Sequence, residues 1–398
     1  MAYRHMPDMK TVLTAERLFT STGILSAPIL VIEDGRIVSV GSRTASEIPT
    51  GAREVAFADN ILAPGFVDIH IHGGAGHDVM NADADALAAV ERSLAARGVT
   101  SYFPTTVTAP LDATYIALER LAAAIETADM RLTRNGGLRA QPLGIHLEGP
   151  FISHAKRGVH PPQYLLEPSL EIFDRMWQAA RGSVSVMTVA PELPNAENLI
   201  AEAARRGVCV SVGHSDATAE ATLAGISAGA RHATHTFNAM RALDHREPGI
   251  AGVVLSDDRL TAELICDGVH VRPELVKLWY RAKGPDHAVL VTDAISATGM
   301  GDGRYQLGGF EVEVRGDRCE YEGKLAGSVL ALDQAVRNVM EFASIGLADA
   351  VRLATCNPAR VAGVSGRKGA LTEGADADIV VLSPRGDVVK TIVRGQGI

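Results

Sequence analysis

AENLIAEAARRGVCVSVGH, running from Ala196 to His214, holds one complete folding unit. Ala196 to Arg206 reads as a helix, and Gly207 is the residue type that ends one. Val208 to Val212 then reads as a strand, and His214 follows it. The next stretch repeats the pattern. Ala217 to Ala228 is helical, Gly229 stops it, and His232 to Thr236 is a strand carrying His235. Upstream, Asp85 to Arg97 is rich in alanine and leucine, stops at Gly98, and leads into a strand over Val99 to Val107. Leu111 to Thr127 and Leu170 to Arg181 are further helices. Pro142 to Leu147, Val184 to Val189, Leu260 to Ile265 and Ala288 to Val291 are further strands. Repeated strand–helix units of this length indicate a parallel sheet. About eight of them over roughly 300 residues favour a closed (β/α)8 TIM-type barrel over an open doubly wound sheet. No G-x-G-x-x-G or G-x-x-x-x-G-K run follows any strand, which weakens a nucleotide-binding alternative. Arg304 to Tyr321 reads as a β-hairpin inserted late in this region.

The two ends of the chain have a different texture. Pro28 to Ile32, a turn at Glu33-Asp34-Gly35, and Arg36 to Val40 form one β pattern. Asp378 to Leu382, a turn over Pro384 to Asp387, and Val388 to Val393 form another. They are either two unrelated hairpins or one small β domain built from both termini.

Composition bounds the function. Of 398 residues, 46% are hydrophobic and 21% charged, the balance of a soluble globular protein with ample core. The formal charge is −9 and no basic run occurs, which argues against nucleic acid as a partner. A single arginine can still serve a small anionic substrate. Cys209, Cys266, Cys319 and Cys356 are widely spaced with no C-x-x-C, so a disulfide framework is not expected and a reducing cytoplasm fits best. Met1 to Lys10 is polar and lacks the apolar core of a secretory signal. No apolar run approaches the ~20 residues of a membrane span.

Chemistry-bearing residues recur at one kind of place. In PGFVDIHIHGG, Pro64 to Gly74, His70 and His72 end an apolar run, and residues two apart in a strand share a face. Glu148 follows Ile145-His146-Leu147. His214 and His235 follow the strands already described. His270 follows Ile265-Cys266-Asp267-Gly268, and Asp293 follows Leu290-Val291-Thr292. A lone His after a strand is usually structural, and a lone Asp or Glu there is usually a helix cap. In a (β/α)8 barrel, however, the carboxyl ends of all strands meet at one mouth, which carries the active site. Five or more such residues at that end point to a metal site.

Several motifs occur in order: PGFVDIHIHG, HLEGPF (His146 to Phe151), VGHSDA (Val212 to Ala217), THTFNAM (Thr234 to Met240), REPG (Arg246 to Gly249), DGVH (Asp267 to His270), VTDA (Val291 to Ala294) and LAGS (Leu325 to Ser328). Together they resemble the N-acetylglucosamine-6-phosphate deacetylases of the amidohydrolase superfamily, over almost the whole chain. HLEGP and the THTFNAM to REPG stretch are specific to this branch; H-x-H and the late Asp are shared more widely. The resemblance favours the joint terminal domain. It implies a small β-sandwich from residues 1–63 plus 372–398 and a barrel over 64–371. It also implies that Glu148, His214 and His235 hold the principal divalent metal, that His70 and His72 hold a second with Glu148 bridging, and that Asp293 is general base and acid. His160, Asn238, Ala239, Arg246 and His270 would contact an amino-sugar phosphate, with Ala326, Gly327 and Ser328 closing over it. The family forms homodimers, and Arg246 with His270 would act at or near that interface.

Some relatives lack the H-x-H histidines and use one metal; this chain keeps both, so one or two metals per subunit are permitted. Mixed His and carboxylate ligands suit zinc, iron(II), manganese or cobalt. The expected activity is hydrolysis of the acetamide of N-acetyl-D-glucosamine 6-phosphate. The rivals are the galactosamine epimer, another amidohydrolase reaction, and a catalytically silent scaffold. The silent scaffold is disfavoured because the ligands and Asp293 are all present. His160 and His270 are alternative donors to the developing oxyanion. Arg246 could instead pair with Glu247, Asn238 could be a turn residue, and Asp68 is expected to make a structural hydrogen bond.

Overall fold

The computed structural model describes residues 10–21, 23–45, 47–132 and 137–398. The polar stretch over residues 1–10 lies outside them but for Lys10. Eight strands carry the alternation: β1 (Phe66–Ile71), β2 (Val99–Pro104), β3 (Ile145–Glu148), β4 (Val184–Val189), β5 (Cys209–Val212), β6 (His232–Ala233), β7 (Thr261–Ile265) and β8 (Ala288–Val291). Each has its helix: in order Ala84–Ala96, Leu111–Glu126, Leu170–Ala179, Ala196–Arg205, Ala219–Ala228, Gly249–Ser256, Pro273–His287 and Leu332–Ala343. β3 to β8 pair in chain order as one parallel sheet, and β1 pairs in parallel with β2. Parallel bridges then join Thr105 to His146 beyond β2, and Ile71 to Ala294 beyond β8. The pairing therefore runs through all eight strands and returns to the first. Every residue of β1, β2, β3 and β8 is buried. Burial of both faces is what a parallel sheet covered by helices requires, and it accounts for the near-continuous apolar runs.

The helix of the opening stretch ends at Arg205, one residue before the expected end. Gly207 has φ +85°, and its N–H donates to the Ala204 carbonyl at 3.0 Å while Val208 N–H donates to the Ala203 carbonyl at 3.0 Å. This left-handed cap turns the chain directly from helix into β5.

The terminal strands form one seven-stranded sheet. Thr11–Phe19, Ile24–Ser26, Pro28–Glu33, Arg36–Ser42 and Arg53–Pro64 come from one end, Ile379–Leu382 and Val388–Ile392 from the other. Ile379–Leu382 pairs antiparallel with Arg53–Pro64, so the last N-terminal strand runs straight from this sheet into β1. The late insertion is larger than the expected hairpin. It comprises four antiparallel strands, Gly303–Leu307, Phe310–Arg315, Arg318–Tyr321 and Lys324–Leu325. A two-residue strand such as the last is too short to show an alternating pattern. No helix among the described residues is long and apolar enough to cross a membrane.

A buried ion cluster ties the terminal sheet to the ring. Lys368 Nζ lies 2.6 Å from Asp378 Oδ2, 3.0 Å from Asp376 Oδ2 and 2.8 Å from Gln141 Oε1. Its side chain is 1% exposed. Removing one member of such a cluster leaves uncompensated buried charge, which costs about 3–5 kcal/mol. Lys368→Met is expected to lower unfolding stability by about that amount, measured by urea denaturation; a change under about 1 kcal/mol would show the cluster to be energetically idle.

Candidate active site

The strand ends bring the metal-type residues together. His70 lies in β1 and His72 just beyond it, on the same face; Glu148 ends β3. His214, His235 and Asp293 each stand two residues past β5, β6 and β8. All three have positive φ, +46°, +27° and +50°, a conformation that L-residues adopt at a cost and that recurs where function demands a particular side-chain direction.

Glu148 sits among five imidazoles. Its Oε1 is 3.0 Å from His235 Nε2, 3.2 Å from His214 Nε2 and 3.4 Å from His70 Nε2. Its Oε2 is 3.2 Å from His72 Nε2 and 3.6 Å from His160 Nε2. Asp293 Oδ1 stands 3.1 Å from His72 Nε2 and 3.5 Å from His70 Nε2. His214 Nε2 and His235 Nε2 are 3.0 Å apart.

Behind four of the five rings a partner sets which nitrogen carries the proton, whereas His235 Nδ1 has no hydrogen-bond partner among the described residues. His72 Nδ1 is 3.1 Å from the Thr105 carbonyl and His214 Nδ1 is 2.9 Å from the Lys156 carbonyl. A carbonyl only accepts, so both rings carry the proton on Nδ1 and offer the Nε2 lone pair. His70 Nδ1 faces the Glu263 carboxylate at 3.0 Å, with the same consequence. His70 Nε2 is buried with no well-aligned hydrogen-bond partner. If these rings were neutral, imidazole lone pairs would face carboxylate lone pairs among buried side chains, an arrangement that is repulsive without a cation or a proton. Three imidazoles or more plus carboxylates are the donor set of a catalytic divalent metal, and these residues fit one. The charges around the rings act in the same sense. Burial alone would lower His72, but Asp293 and Glu148 outweigh it and push it up to about 9. Burial likewise opposes charge on His70, and Glu148, Glu263 and Asp293 hold it well above its ordinary value. Burial would raise the acids, yet the neighbouring histidines keep Asp293 below the usual carboxylate range.

His160 differs. The Thr108 backbone N–H donates to its Nδ1 at 3.3 Å, and Thr108 Oγ1 lies 2.8 Å from the same atom. Nδ1 is therefore the acceptor, and Nε2–H points into the site. Burial lowers this ring to about 4, so it is neutral near pH 7. The contact depends on Gly149, at φ +80°, where a Cβ would stand 2.1 Å from Thr108 Oγ1. His270 has the ligand-type tautomer: Asp267 Oδ2 is 2.6 Å from its Nδ1, leaving Nε2 as an acceptor.

A cavity of about 140 Å³ opens above this cluster. Glu148, His72, His160, His214 and Asp293 line it, together with Asn238, Ala239, Gly327 and His270. Val107, Val159, Ile265, Leu307 and Leu325 supply an apolar wall, two of them from the inserted sheet. Ala326 is fully buried and Ser328 lies behind Asp293 rather than over the cavity. Ser328 N–H donates to the Asp293 carbonyl at 2.8 Å, and its hydroxyl donates to the Thr292 carbonyl at 2.6 Å. Asp68 accepts from the Thr292 hydroxyl at 2.6 Å, the structural bond expected of it. Arg246 is exposed and does not line the cavity. Glu247 is not its partner but accepts from the Ala219 and Gly249 N–H groups at 2.8 and 3.1 Å. None of the described residues lining the cavity is Lys or Arg. Sequence reasoning missed the groups that orient the ligands, Glu263 above all, and the apolar wall.

The chain is similar to known proteins over nearly its whole length. The family model described as "Amidohydrolase family" matches residues 61–398. N-acetylglucosamine-6-phosphate deacetylase of Bacillus subtilis (strain 168) is 36% identical over 380 residues, covering 95% of this chain and 94% of the relative. N-acetylgalactosamine-6-phosphate deacetylase of Escherichia coli O157:H7 is 39% identical over 389 residues, covering 98% and 99%. Among solved structures, a variant of the Mycobacterium smegmatis N-acetyl-D-glucosamine-6-phosphate deacetylase in complex with N-acetyl-D-glucosamine-6-phosphate superposes with a TM-score of 0.90 at 34% identity, covering 98% of this chain and 99% of that one.

Proposed function

The chain belongs to the amidohydrolase family, and on that premise we propose that it hydrolyses the acetamide of N-acetyl-D-glucosamine 6-phosphate to glucosamine 6-phosphate and acetate. The observation that carries this reading is the buried Glu148 carboxylate ringed by imidazoles at the floor of a cavity, with Asp293 beside it. The E. coli relative keeps the galactosamine epimer as a second reading. On the same proposal the strand ring is a closed (β/α)8 barrel over residues 64–371, and the described residues of 1–63 and 372–398 form the small β domain, as one seven-stranded sheet rather than the expected sandwich.

Glu148, His214 and His235 would hold the principal divalent metal, zinc by its preference for such mixed ligands, with iron(II), manganese and cobalt as substitutes. His70 and His72 would hold a second, with Glu148 between. When bound, the metal lowers a water's pKa toward ~7 and polarises the acetyl carbonyl. Asp293 takes the proton of the attacking water on its carboxylate and returns it to the departing amine. Its backbone is fixed for that task by the His70 carbonyl, 2.9 Å from Asp293 N, and by Ser328. His160 Nε2–H is the donor for the acetyl oxygen as charge develops, worth about 3 kcal/mol when preorganised. His270, an acceptor, with Asn238 and Ala239, contacts the sugar. Val107, Leu307 and Leu325 offer the apolar surface an acetyl methyl needs.

None of the described residues lining the cavity is Lys or Arg, and Arg246 is exposed. This supports a homodimer in which Arg246 of the partner subunit reaches the phosphate, where guanidinium binds through paired hydrogen bonds. Its four free cysteines fit the cytoplasm.

An assay with the two epimeric 6-phosphates and the plain N-acetyl sugars is the direct test. N-acetylglucosamine 6-phosphate is expected to give the highest kcat/KM, and chelator-stripped protein no turnover until metal is restored. A reversed epimer order would transfer the assignment to galactosamine, and undiminished hydrolysis by stripped protein would end the metal reading. Asp293→Asn should retain metal and lose about 10²–10⁴ in kcat; near-normal turnover would remove Asp293 from proton transfer. Arg246→Ala should lower the preference for phosphorylated over plain sugar about 10–100-fold, from the loss of charged hydrogen bonds. An unchanged preference would place phosphate recognition elsewhere.

A further inference from the structure

Glu263, in the middle of β7, is fully buried and does not line the cavity. Three N–H groups converge on it. Its Oε2 lies 3.0 Å from His70 Nδ1 and 3.1 Å from the backbone N of His235. Its Oε1 lies 3.0 Å from His232 Nε2. One oxygen therefore joins a side chain of β1 to the main chain just beyond β6. Those are the residues proposed above for two different metal positions.

The neighbourhood also contains His146, close enough to His70 and Glu263 to suggest a third cation position. Its nitrogens are already engaged: Nδ1 with the Ile69 carbonyl at 3.1 Å and Nε2 with Thr188 Oγ1 at 2.8 Å. Nδ1 must donate to that carbonyl and Nε2 accepts from the hydroxyl, so no lone pair is left for a metal. Glu263 faces donors on both oxygens. The cluster is a hydrogen-bonded support, and its business is with His70.

His235 Nδ1 has no hydrogen-bond partner among the described residues, and of the ligand rings that are held from behind, His70 alone is held by a carboxylate. The carbonyls of Thr105 and Lys156 fix His72 and His214 through the backbone. His70 has only a side chain behind it. We infer that Glu263 is a positioning residue that holds the proton on His70 Nδ1, keeps the Nε2 lone pair directed at Glu148 and Asp293, and so sets the affinity of the His70–His72 metal position. The same carboxylate anchors the His235 main chain, but the backbone N–H there has no alternative state to lose. The effect of losing the charge falls on His70. This inference rests on the two-metal reading of the site.

Glu263→Gln keeps size and shape and removes the charge. Outer groups of this kind typically contribute 10–100-fold in metal affinity. The test is zinc binding by chelator competition in the wild type, in Glu263→Gln and in His70→Asn as the reference for a lost second position. The second equivalent is expected to bind about 10–100-fold more weakly in Glu263→Gln, with the first changed by less than about threefold. Equal weakening of both equivalents, or of neither, overturns the inference. If Glu263→Gln does not fold, Glu263→Asp decides the same question by withdrawing the carboxylate one methylene from His70, with the same two outcomes. The zinc-loaded protein gives an independent readout in the ¹H resonance of the His70 Nδ1 proton. It is expected far downfield in the wild type and upfield of that in Glu263→Gln; an unmoved resonance overturns the inference. Should the wild type bind a single equivalent, the two-metal reading falls, and this resonance alone decides whether Glu263 holds the proton.

Discussion

A buried carboxylate with imidazole nitrogens on every side is the constraint around which this molecule is built. Glu148 has Nε2 atoms of five histidines between 3.0 and 3.6 Å from its oxygens. Most of those nitrogens present lone pairs, so the arrangement is unfavourable until positive charge enters it. A protein keeps such a cluster only if the surrounding structure over-determines it. Here the over-determination is visible. β1, β3, β5, β6 and β8 each contribute a residue at the same end of a ring, and three of those residues sit at positive φ. The energy for that strain comes from the ring core, whose strands are buried on both faces.

The second layer is as ordered as the first. Thr105, Lys156, Thr108, Asp267 and Glu263 each stand behind one ring and hold one nitrogen. Asp68, Thr292 and Ser328 form a chain of hydrogen bonds that fixes the backbone of Asp293. Burial raises Asp68 to about 6, against the hydrogen bond from Thr292 that lowers it. That hydrogen bond gives the acid a structural task beside the site rather than in it.

Much of this was legible in the sequence, for physical reasons that can be named. Strand–helix units show as apolar runs followed by amphipathic ones, and Gly207 and Gly229 mark the left-handed caps between them. His70, His72, Glu148, His214, His235 and Asp293 all follow apolar runs, so their common end follows from the topology alone. What the sequence left unread is set by distance in three dimensions. Glu263 sits inside TAELI, where a lone carboxylate looks like an outward-facing strand residue. Only the ring closure turns it toward His70, 193 positions away. Ser328 belongs to a motif beside the cavity, but its direction, behind Asp293, depends on a main-chain bond to a strand end. Arg246 has the right chemistry for phosphate, yet the fold leaves it exposed.

These histidines share one side-chain chemistry, and the fold gives those held at Nδ1 opposite duties through the partner behind the ring. A carbonyl or carboxylate behind Nδ1 makes a ligand: the proton stays at the back and the lone pair faces forward. A backbone N–H behind Nδ1, as Thr108 provides for His160, makes a hydrogen-bond donor: the lone pair is used at the back and the proton faces forward. His160 lies as near Glu148 Oε2, at 3.6 Å, as a ligand might. By distance alone it would join the metal set, and its tautomer sets it apart as a donor. Between His160 and His270 as the donor to a developing oxyanion, the choice therefore rests on the backs of the rings. Asp267 behind His270 leaves an acceptor, Thr108 behind His160 leaves a donor, and only a donor stabilises an oxygen that is gaining negative charge.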